Sequence, residues 1–566
     1  MMSCLRCDSL GATRLFGFGV MINRYFSGSW CGRCAVSMLW VLGLLGPIHA
    51  QEVVDETLAA AVEEFWGAES EDRRLDAIDT VVSLDQQFEE VVTALQVQRT
   101  YSPTVDTGRQ LFSRRNRDGL EHAYVVHVPN NYDATQSHPV RVYLHGGVMR
   151  PLRGGGNWWR NQDPFIRQDS LVVFPVSWPE SIWWQDSQIE NLTGMLNDLR
   201  RVYNVDENRV YLLGMSDGAT GAFYQAFKAT TPWAAFLPFH GHPGVLTNPN
   251  SDVDGEMHVA NLQNKPFLIV NGGQDRLYPL EAVSPFIQLF EGANVEIDFR
   301  GLPQAGHNMD WWPELSASID SFVSGTSRQP LPDRLTWESE DTEEFNRAHW
   351  LIIKELGFVE GESQLELLNT LTRRVPDAQL GISTVGELVD EPGLQLFDVG
   401  DDSIISQAGI RPDDIVVEVA GQAISTPDSL RQALINFAPG DELPISVRRD
   451  VELLDLTLRY PMTFVTQTRS AFRHDQSSGR VELRREGNIV IVMTQGVRQF
   501  NLLLSPDQFD LSRPIQVVTN GVVSHDALVV PDVETLLRWA SVDQDQSLLF
   551  GVELEIRVGS QVGCGR

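Results

Sequence analysis

Lysine is almost missing from this sequence: Lys228, Lys265 and Lys354 are all there is in 566 residues, and arginine carries the rest of the positive charge. Even so, 44 Lys+Arg face 76 Asp+Glu, a formal net charge of −32. So acidic a chain lacks the basic surface that neutralises phosphates, which argues against nucleic acid as a partner and against anionic membranes. The acidity reads as a solvated surface and points to no substrate. Cysteine is nearly as scarce: Cys4, Cys7, Cys31 and Cys34 precede residue 51, and only Cys564 follows it. What is plentiful is apolar surface, with 42% hydrophobic residues and 14 Trp, enough for packed cores and against disorder.

No run at the N-terminus reaches the ~20 apolar residues that a bilayer-spanning helix needs. The 13-residue stretch Ala35 to Pro47 follows Arg24 and Arg33 and ends on Ile48-His49-Ala50 before Gln51. A positive flank, a short apolar core and a terminal small residue predict a cleaved signal peptide over 1–50, with Met21 as an alternative start. A secreted or periplasmic location, with no stable membrane span after cleavage, is the corresponding expectation. The two C-x-x-C pairs resemble zinc-ribbon half-sites, but the gap between them is too long and both fall in the presequence. No metal or cofactor is therefore expected. The exported chain would hold a single cysteine and no internal disulfide, so core burial must stabilise it.

Length predicts about three domains at roughly 100–200 residues each. Residues 51–104 are acidic, and Leu75, Ile78 and Val82, then Phe88, Val91, Val92 and Leu95, recur at helical spacing. They read as a helical lead-in packing on the next domain. Over 105–325, short apolar strands (140–144, 171–176, 209–214, 234–239, 266–271, 295–300) alternate with helical stretches 188–203, 219–229 and 280–291. That alternation predicts an α/β fold: a mostly parallel sheet with helices on both faces. Pro330 and Pro332 mark a boundary, after which 326–375 reads as a linker with possible first strands, 376–460 as a separate module, and 461–566 as β-rich. There 480–485, 488–493, 515–518 and 552–558 alternate like antiparallel strands, and Asn520-Gly521 signals a type I′ hairpin.

Gly214-Met215-Ser216-Asp217-Gly218 matches G-x-S-x-G. It follows the apolar run Val210-Tyr211-Leu212-Leu213 and opens a helix, the strand–turn–helix setting of a nucleophile elbow. A serine hydroxyl becomes a nucleophile only when a base takes its proton and a third group orients that base. Asp275, in Gly272-Gly273-Gln274-Asp275, and His307, in Gln304-Ala305-Gly306-His307-Asn308, each follow a predicted strand in the order this constellation requires. Asp310 is the rival acid, though its closeness to His307 suits a helix start. His145-Gly146-Gly147 follows the 140–144 strand; an N–H from Gly146–Val148 and that of Asp217 are the expected oxyanion donors, with His145 structural. Trp158-Trp159, Trp178, Trp183-Trp184 and Trp311-Trp312 cluster near these motifs and suit an acyl, aryl or sugar-bearing pocket. His240-Gly241-His242 hints at a metal but lacks nearby carboxylates, and Asn191-Leu192-Thr193 is a glycosylation sequon that matters only in a eukaryotic secretory pathway.

Over 105–325 these motifs resemble the α/β-hydrolase superfamily, in the branch of secreted esterases, polyhydroxyalkanoate depolymerase-like enzymes and prolyl-oligopeptidase-like peptidases. The resemblance implies two-step acyl transfer by Ser216, with His307 as base and Asp275 as its partner. It leaves the substrate open.

Ala408-Gly409-Ile410-Arg411-Pro412-Asp413-Asp414-Ile415-Val416 leading into Val419-Ala420-Gly421-Gln422-Ala423-Ile424 resembles a PDZ domain of the type carried by periplasmic trypsin-like proteases. The helix 428–437 and strand 443–448 complete the pattern. Such a domain binds an extended peptide by strand addition, a protein C-terminus above all. The expected carboxylate loop is Leu380-Gly381-Ile382, with Pro392-Gly393-Leu394 as the alternative. The flanks 333–375 and 461–566 read as one β domain into which the module is inserted. Three functions stay open: an esterase with a peptide-binding module, a peptidase on the same triad, and a non-catalytic envelope scaffold.

Overall fold

The apolar strands of the first half are buried on both faces, which only a sheet covered by helices on each side allows. A computed structural model describes residues 55–559 apart from 152–157, 160, 249–252, 254–256, 377–381, 388–391, 402, 435–439, 460–463 and 475. The proposed signal peptide therefore lies outside the described residues. Among those described, no helix is long and apolar enough to cross a membrane.

Three helices come first: α1 (Glu56–Gly67), α2 (Glu71–Ser83) and α3 (Phe88–Val97). A sheet follows, built from β1 (Gly108–Arg115), β2 (Glu121–Val128), β3 (His138–Leu144), β4 (Leu171–Pro175), β5 (Val205–Met215), β6 (Ala235–Phe239), β7 (Phe267–Gly272) and β8 (Ile297–Leu302). Interleaved helices are α4 (Asp186–Val202), α5 (Asp217–Lys228), α6 (Leu280–Gly292) and α7 (Trp312–Gly325). The sheet has eight strands in the order β1-β2-β4-β3-β5-β6-β7-β8. β1 and β2 pair antiparallel, and every pairing from β4 to β8 is parallel. Successive residues of β3 go to opposite cores: Val140, Val142 and Leu144 join Leu192, Phe223 and Phe286 from α4, α5 and α6, while Tyr143 joins Ile319 and Val323 from α7. This two-sided burial fixes the carboxyl ends of β3, β5, β6, β7 and β8 along one edge, where open α/β sheets place their sites.

The lead-in helices differ from expectation in what they cover. Ala77, Ile78 and Val81 form the buried face of α2, while Leu75 and Val82 are exposed. Their partner is the C-terminal helix Val533–Asp543, through Leu536, Leu537 and Ala540, rather than the hydrolase core. Asn191 of the sequon is buried in α4, its amide donating to Gln188 Oε1 at 3.0 Å, which closes it to a glycan in any pathway.

Beyond α7, strands from both sides of the PDZ sequence pair with one another. Arg334–Ser339 pairs with Gly479–Glu486, Leu351–Leu356 with Val497–Leu504, and Thr370–Pro376 with Phe464–Ser470. The first two pairings belong to a five-stranded and a four-stranded sheet that share one core around Trp337, Trp350 and Phe500. Most pairs are antiparallel. Ile489–Gln495 and Ile515–Thr519 run parallel instead, because the intervening strand Val497–Leu504 crosses to the other sheet and the chain returns in the same direction. Asn520 and Gly521 both have positive φ (50° and 80°), as a type I′ hairpin requires.

The PDZ strands Ile382–Glu387, Leu394–Val399, Ile415–Val419, Glu442–Arg449 and Glu452–Arg459 form their own sheet and core. Arg449 grips Asp414 with two bonds of 2.7 Å, pinning the Pro412-Asp413-Asp414 turn. The helix runs Pro427–Leu434, and residues 435–437 lie outside the described residues. So do Leu380 and Gly381 of the expected carboxylate loop, whereas Ile382 opens the first PDZ strand.

Candidate active site

Ser216 joins β5 to α5 with φ 57° and ψ −118°, a backbone region that costs a non-glycine residue of order 1–3 kcal/mol. The two flanking glycines make the turn possible. A Cβ on Gly214 would lie 2.1 Å from the Gly218 carbonyl oxygen, and one on Gly218 would lie 2.0 Å from that of Leu144. The Ser216 N–H donates to Phe239 O at 2.9 Å and its carbonyl accepts from Ala219 N, anchoring the turn to β6 and α5. The hydroxyl is thereby lifted off the sheet edge.

His307, beyond β8, brings Nε2 to 2.9 Å from Ser216 Oγ and Nδ1 to 2.7 Å from Asp275 Oδ2. Asp275 is buried beyond β7, and its other oxygen accepts the N–H groups of Leu277 (2.8 Å) and Tyr278 (2.9 Å). Burial pushes this carboxyl up, but those N–H groups and the two imidazoles outweigh it and hold it below its ordinary range. It is ionised at neutral pH. Asp310 is exposed, precedes α7, and makes no hydrogen bond to His307. The three residues singled out in sequence thus form one hydrogen-bonded chain.

A fourth member was not foreseen. His240, at the end of β6, places Nδ1 3.0 Å from the same Asp275 Oδ2. Its Nε2 accepts the indole N–H of Trp311 at 2.8 Å, so the proton of the neutral ring belongs on Nδ1 and is donated to the carboxylate. Burial lowers the His240 pKa, which keeps the ring neutral. The nearby carboxylate that the H-x-H motif lacked in sequence is Asp275 itself. Two N–H donors on one carboxylate oxygen split its charge. Replacing His240 with Phe leaves that charge on His307 alone; we expect the acid limb of the kcat/KM profile to move up by roughly 0.5–1 pH unit and kcat to fall about tenfold. An unmoved pH profile would make His240 a packing residue.

The oxyanion loop is also arranged differently from expectation. Gly147 N–H does not face the nucleophile: it donates to Asp217 Oδ2 at 2.8 Å, as does Val148 N–H at 2.9 Å. Gly147 has φ 75°, and the turn it makes aims both N–H groups at the carboxylate. Gly146 is the residue against the serine, since a Cβ there would meet Ser216 Cβ at 2.9 Å. Its N–H and that of Asp217 make no hydrogen bond among the described residues, which leaves these two as the available donors. Asp217 also begins α5, whose amino-terminal dipole favours negative charge beside Ser216. His145 is buried and structural: its Nε2 accepts Ser177 N–H at 3.0 Å.

A cleft of about 580 Å³ opens beside Met215, Gly146 and Gly147. Trp158, Trp159, Phe165 and Trp312 give it an aromatic wall, and Met309 and Pro313 extend it. Trp178, Trp183, Trp184 and Trp311 are buried outside this wall instead; Trp183 donates to His145 O at 2.7 Å and Trp311 to His240 Nε2 at 2.8 Å.

Sheet order and elbow together define an α/β-hydrolase domain, followed by a PDZ domain and a β-rich C-terminal region. Residues 177–310 match the Dienelactone hydrolase family and residues 378–459 the PDZ domain. The solved structures similar to the chain include a thermostable esterase (19% identity, TM-score 0.32, covering 39% of this chain and 63% of that one). Others are a dipeptidyl aminopeptidase IV-like protein of Bacteroides ovatus (16%, 0.34, 39% and 36%) and a ferulic acid esterase of the anaerobic fungus Anaeromyces mucronatus (19%, 0.32, 40% and 94%). The chain therefore spans less than two thirds of the first two. No curated protein is significantly similar to it.

Proposed function

We propose that this chain is an exported serine hydrolase that cleaves a carboxylic ester through an acyl-enzyme on Ser216. The observation that carries the reading is the chain Ser216 Oγ–His307 Nε2–His307 Nδ1–Asp275 Oδ2, at 2.9 and 2.7 Å, standing on a strained elbow. Ser216 Oγ attacks the carbonyl carbon as its proton passes to His307 Nε2, and the Asp217 and Gly146 N–H groups receive the oxyanion. The C–O bond breaks, and the alcohol leaves with the proton from His307. Water then gives a proton to His307 and attacks the acyl carbon, and Ser216 leaves with that proton. Asp275 and His240 hold the base in its tautomer throughout. The aromatic wall of the cleft suits an aryl or bulky apolar group next to the scissile bond. The PDZ domain supplies a place for a peptide or a protein C-terminus, by strand addition.

Purified 51–566 should be assayed on matched aryl esters and anilides carrying acetyl, butyryl and cinnamoyl-type acyl groups, and on peptides. We expect esters to exceed the corresponding amides by at least ~100-fold in kcat/KM, and aryl-bearing acyl groups to exceed acetyl. Peptide cleavage outrunning ester cleavage would convert the reading to a peptidase. Peptide binding without turnover of anything would make the chain a scaffold.

A further inference from the structure

Away from the serine, a second group of histidine and carboxylate side chains is gathered where three distant segments meet. His258 leads into the short helical turn Val259–Asn264 of the hydrolase domain. Glu340 follows the first strand of the β-rich region, Arg334–Ser339. His474 lies on the chain returning from the PDZ domain, after Phe464–Ser470. Their ligand atoms all lie within 4.8 Å of one another. His474 Nδ1 is 2.7 Å and His258 Nε2 3.5 Å from the same oxygen, Glu340 Oε1. Atoms bound to one tetrahedral ion at ~2.0–2.1 Å sit roughly 3.3 Å apart; the His258–Glu340 spacing matches this, and the 2.7 Å His474–Glu340 hydrogen bond would lengthen by about 0.6 Å as the ion replaces its proton.

One buried ring nitrogen singles the cluster out. His258 is buried, and its Nδ1 faces Glu338 Oε1 at 3.4 Å. Its Nε2, turned toward Glu340 Oε1 at 3.5 Å, is buried and has no hydrogen-bond partner. The ring is stacked on that of His474, with centroids 4.7 Å apart and planes at 13°. A cation held between His258 Nε2 and the Glu340 carboxylate gives that nitrogen a partner. The Glu338–His258 contact then becomes the carboxylate that orients a ligating histidine, and Ser478 Oγ donates to Glu338 Oε1 at 2.6 Å to fix it in turn.

We propose that His258, Glu340 and His474 bind one divalent transition-metal ion, zinc by donor type, which ties the hydrolase domain to the β-rich region. Two imidazoles and a carboxylate suit zinc, and the partly exposed edge at His474 admits water as the fourth ligand. The ion has no part in the acyl chemistry.

The test uses 51–566, stripped with a chelator, dialysed, and titrated with zinc while metal content is measured by mass spectrometry. We expect one zinc per chain, a rise in Tm of several degrees on reloading, and loss of both in His474→Ala. Glu340→Gln serves as a second variant, and His307→Ala, in the catalytic cluster, should retain the zinc. Zinc that survives His474→Ala and Glu340→Gln, zinc that disappears with His307→Ala, or no zinc uptake and no Tm shift at all would each overturn the proposal.

Discussion

Ser216→Ala is expected to lower kcat on a p-nitrophenyl ester by between about 10⁴- and 10⁶-fold and to abolish labelling by a fluorophosphonate, with Tm hardly changed. The size follows from what is lost. In the proposed mechanism the acyl-enzyme forms on this hydroxyl, and without it turnover would fall to direct attack by water on a carbonyl held by two N–H donors. The fold should tolerate the change, because the backbone geometry at φ 57° is held by Gly214, Gly218 and the Phe239 carbonyl rather than by the hydroxyl. His307→Ala should cost a similar factor, and the double variant hardly more than either single one, since nucleophile and base act as one unit. Asp275→Asn should cost about 10⁴-fold, because an amide nitrogen turned toward His307 Nδ1 favours the wrong tautomer. Labelling that persists in Ser216→Ala, or losses that multiply across the pair, would remove Ser216 from its role.

The difference between what was readable in sequence and what was not has a physical basis. Ser216, Asp275 and His307 each follow an apolar strand, and a parallel sheet brings such positions to one edge whatever lies between them. His240 follows β6 at that same edge, and its position carried the same signal. In sequence the H-x-H motif offers only a weak hint of a metal and no carboxylate, because Asp275 is its neighbour in space and not in sequence. Side chains that act on the backbone are harder to read. Asp217 was recognised for its N–H, yet its carboxylate takes Gly147 and Val148 out of the oxyanion site. The lead-in helices show a third limit. Periodicity identified α2, but Val81 and Val82 are both apolar neighbours, and only the packing against the C-terminal helix buries one and exposes the other. His258, Glu340 and His474 sit on three separate segments and share no local pattern at all.

Asp217→Ala is expected to lower kcat about 100-fold with little change in KM, and Asp217→Asn to fall between Ala and the natural residue. Two effects of the carboxylate oppose one another. A negative charge a few ångströms from a developing oxyanion is unfavourable by roughly 1–3 kcal/mol at an effective dielectric near 20, offset in part by the α5 dipole. Against this, Oδ2 accepts two backbone N–H groups at 2.8 and 2.9 Å, each charge-assisted and of order 1.5–3 kcal/mol. Those bonds hold the turn after Gly146 and so keep the Gly146 N–H beside Ser216. Losing one oxyanion donor costs about 10²–10³ in kcat elsewhere, and the Ala variant loses that donor by letting the loop drift. The loop borders the cleft through the backbone of Gly146 and Gly147, while Trp158, Trp159, Phe165 and Trp312, which form its aromatic wall, make no hydrogen bond to Asp217 among the described residues. KM should therefore change much less than kcat. An asparagine keeps an acceptor oxygen while removing the charge, which makes it the deciding variant. If Asp217→Asn turned over faster than the natural enzyme, charge repulsion would outweigh loop anchoring, and the role assigned to the Asp217 carboxylate would be wrong.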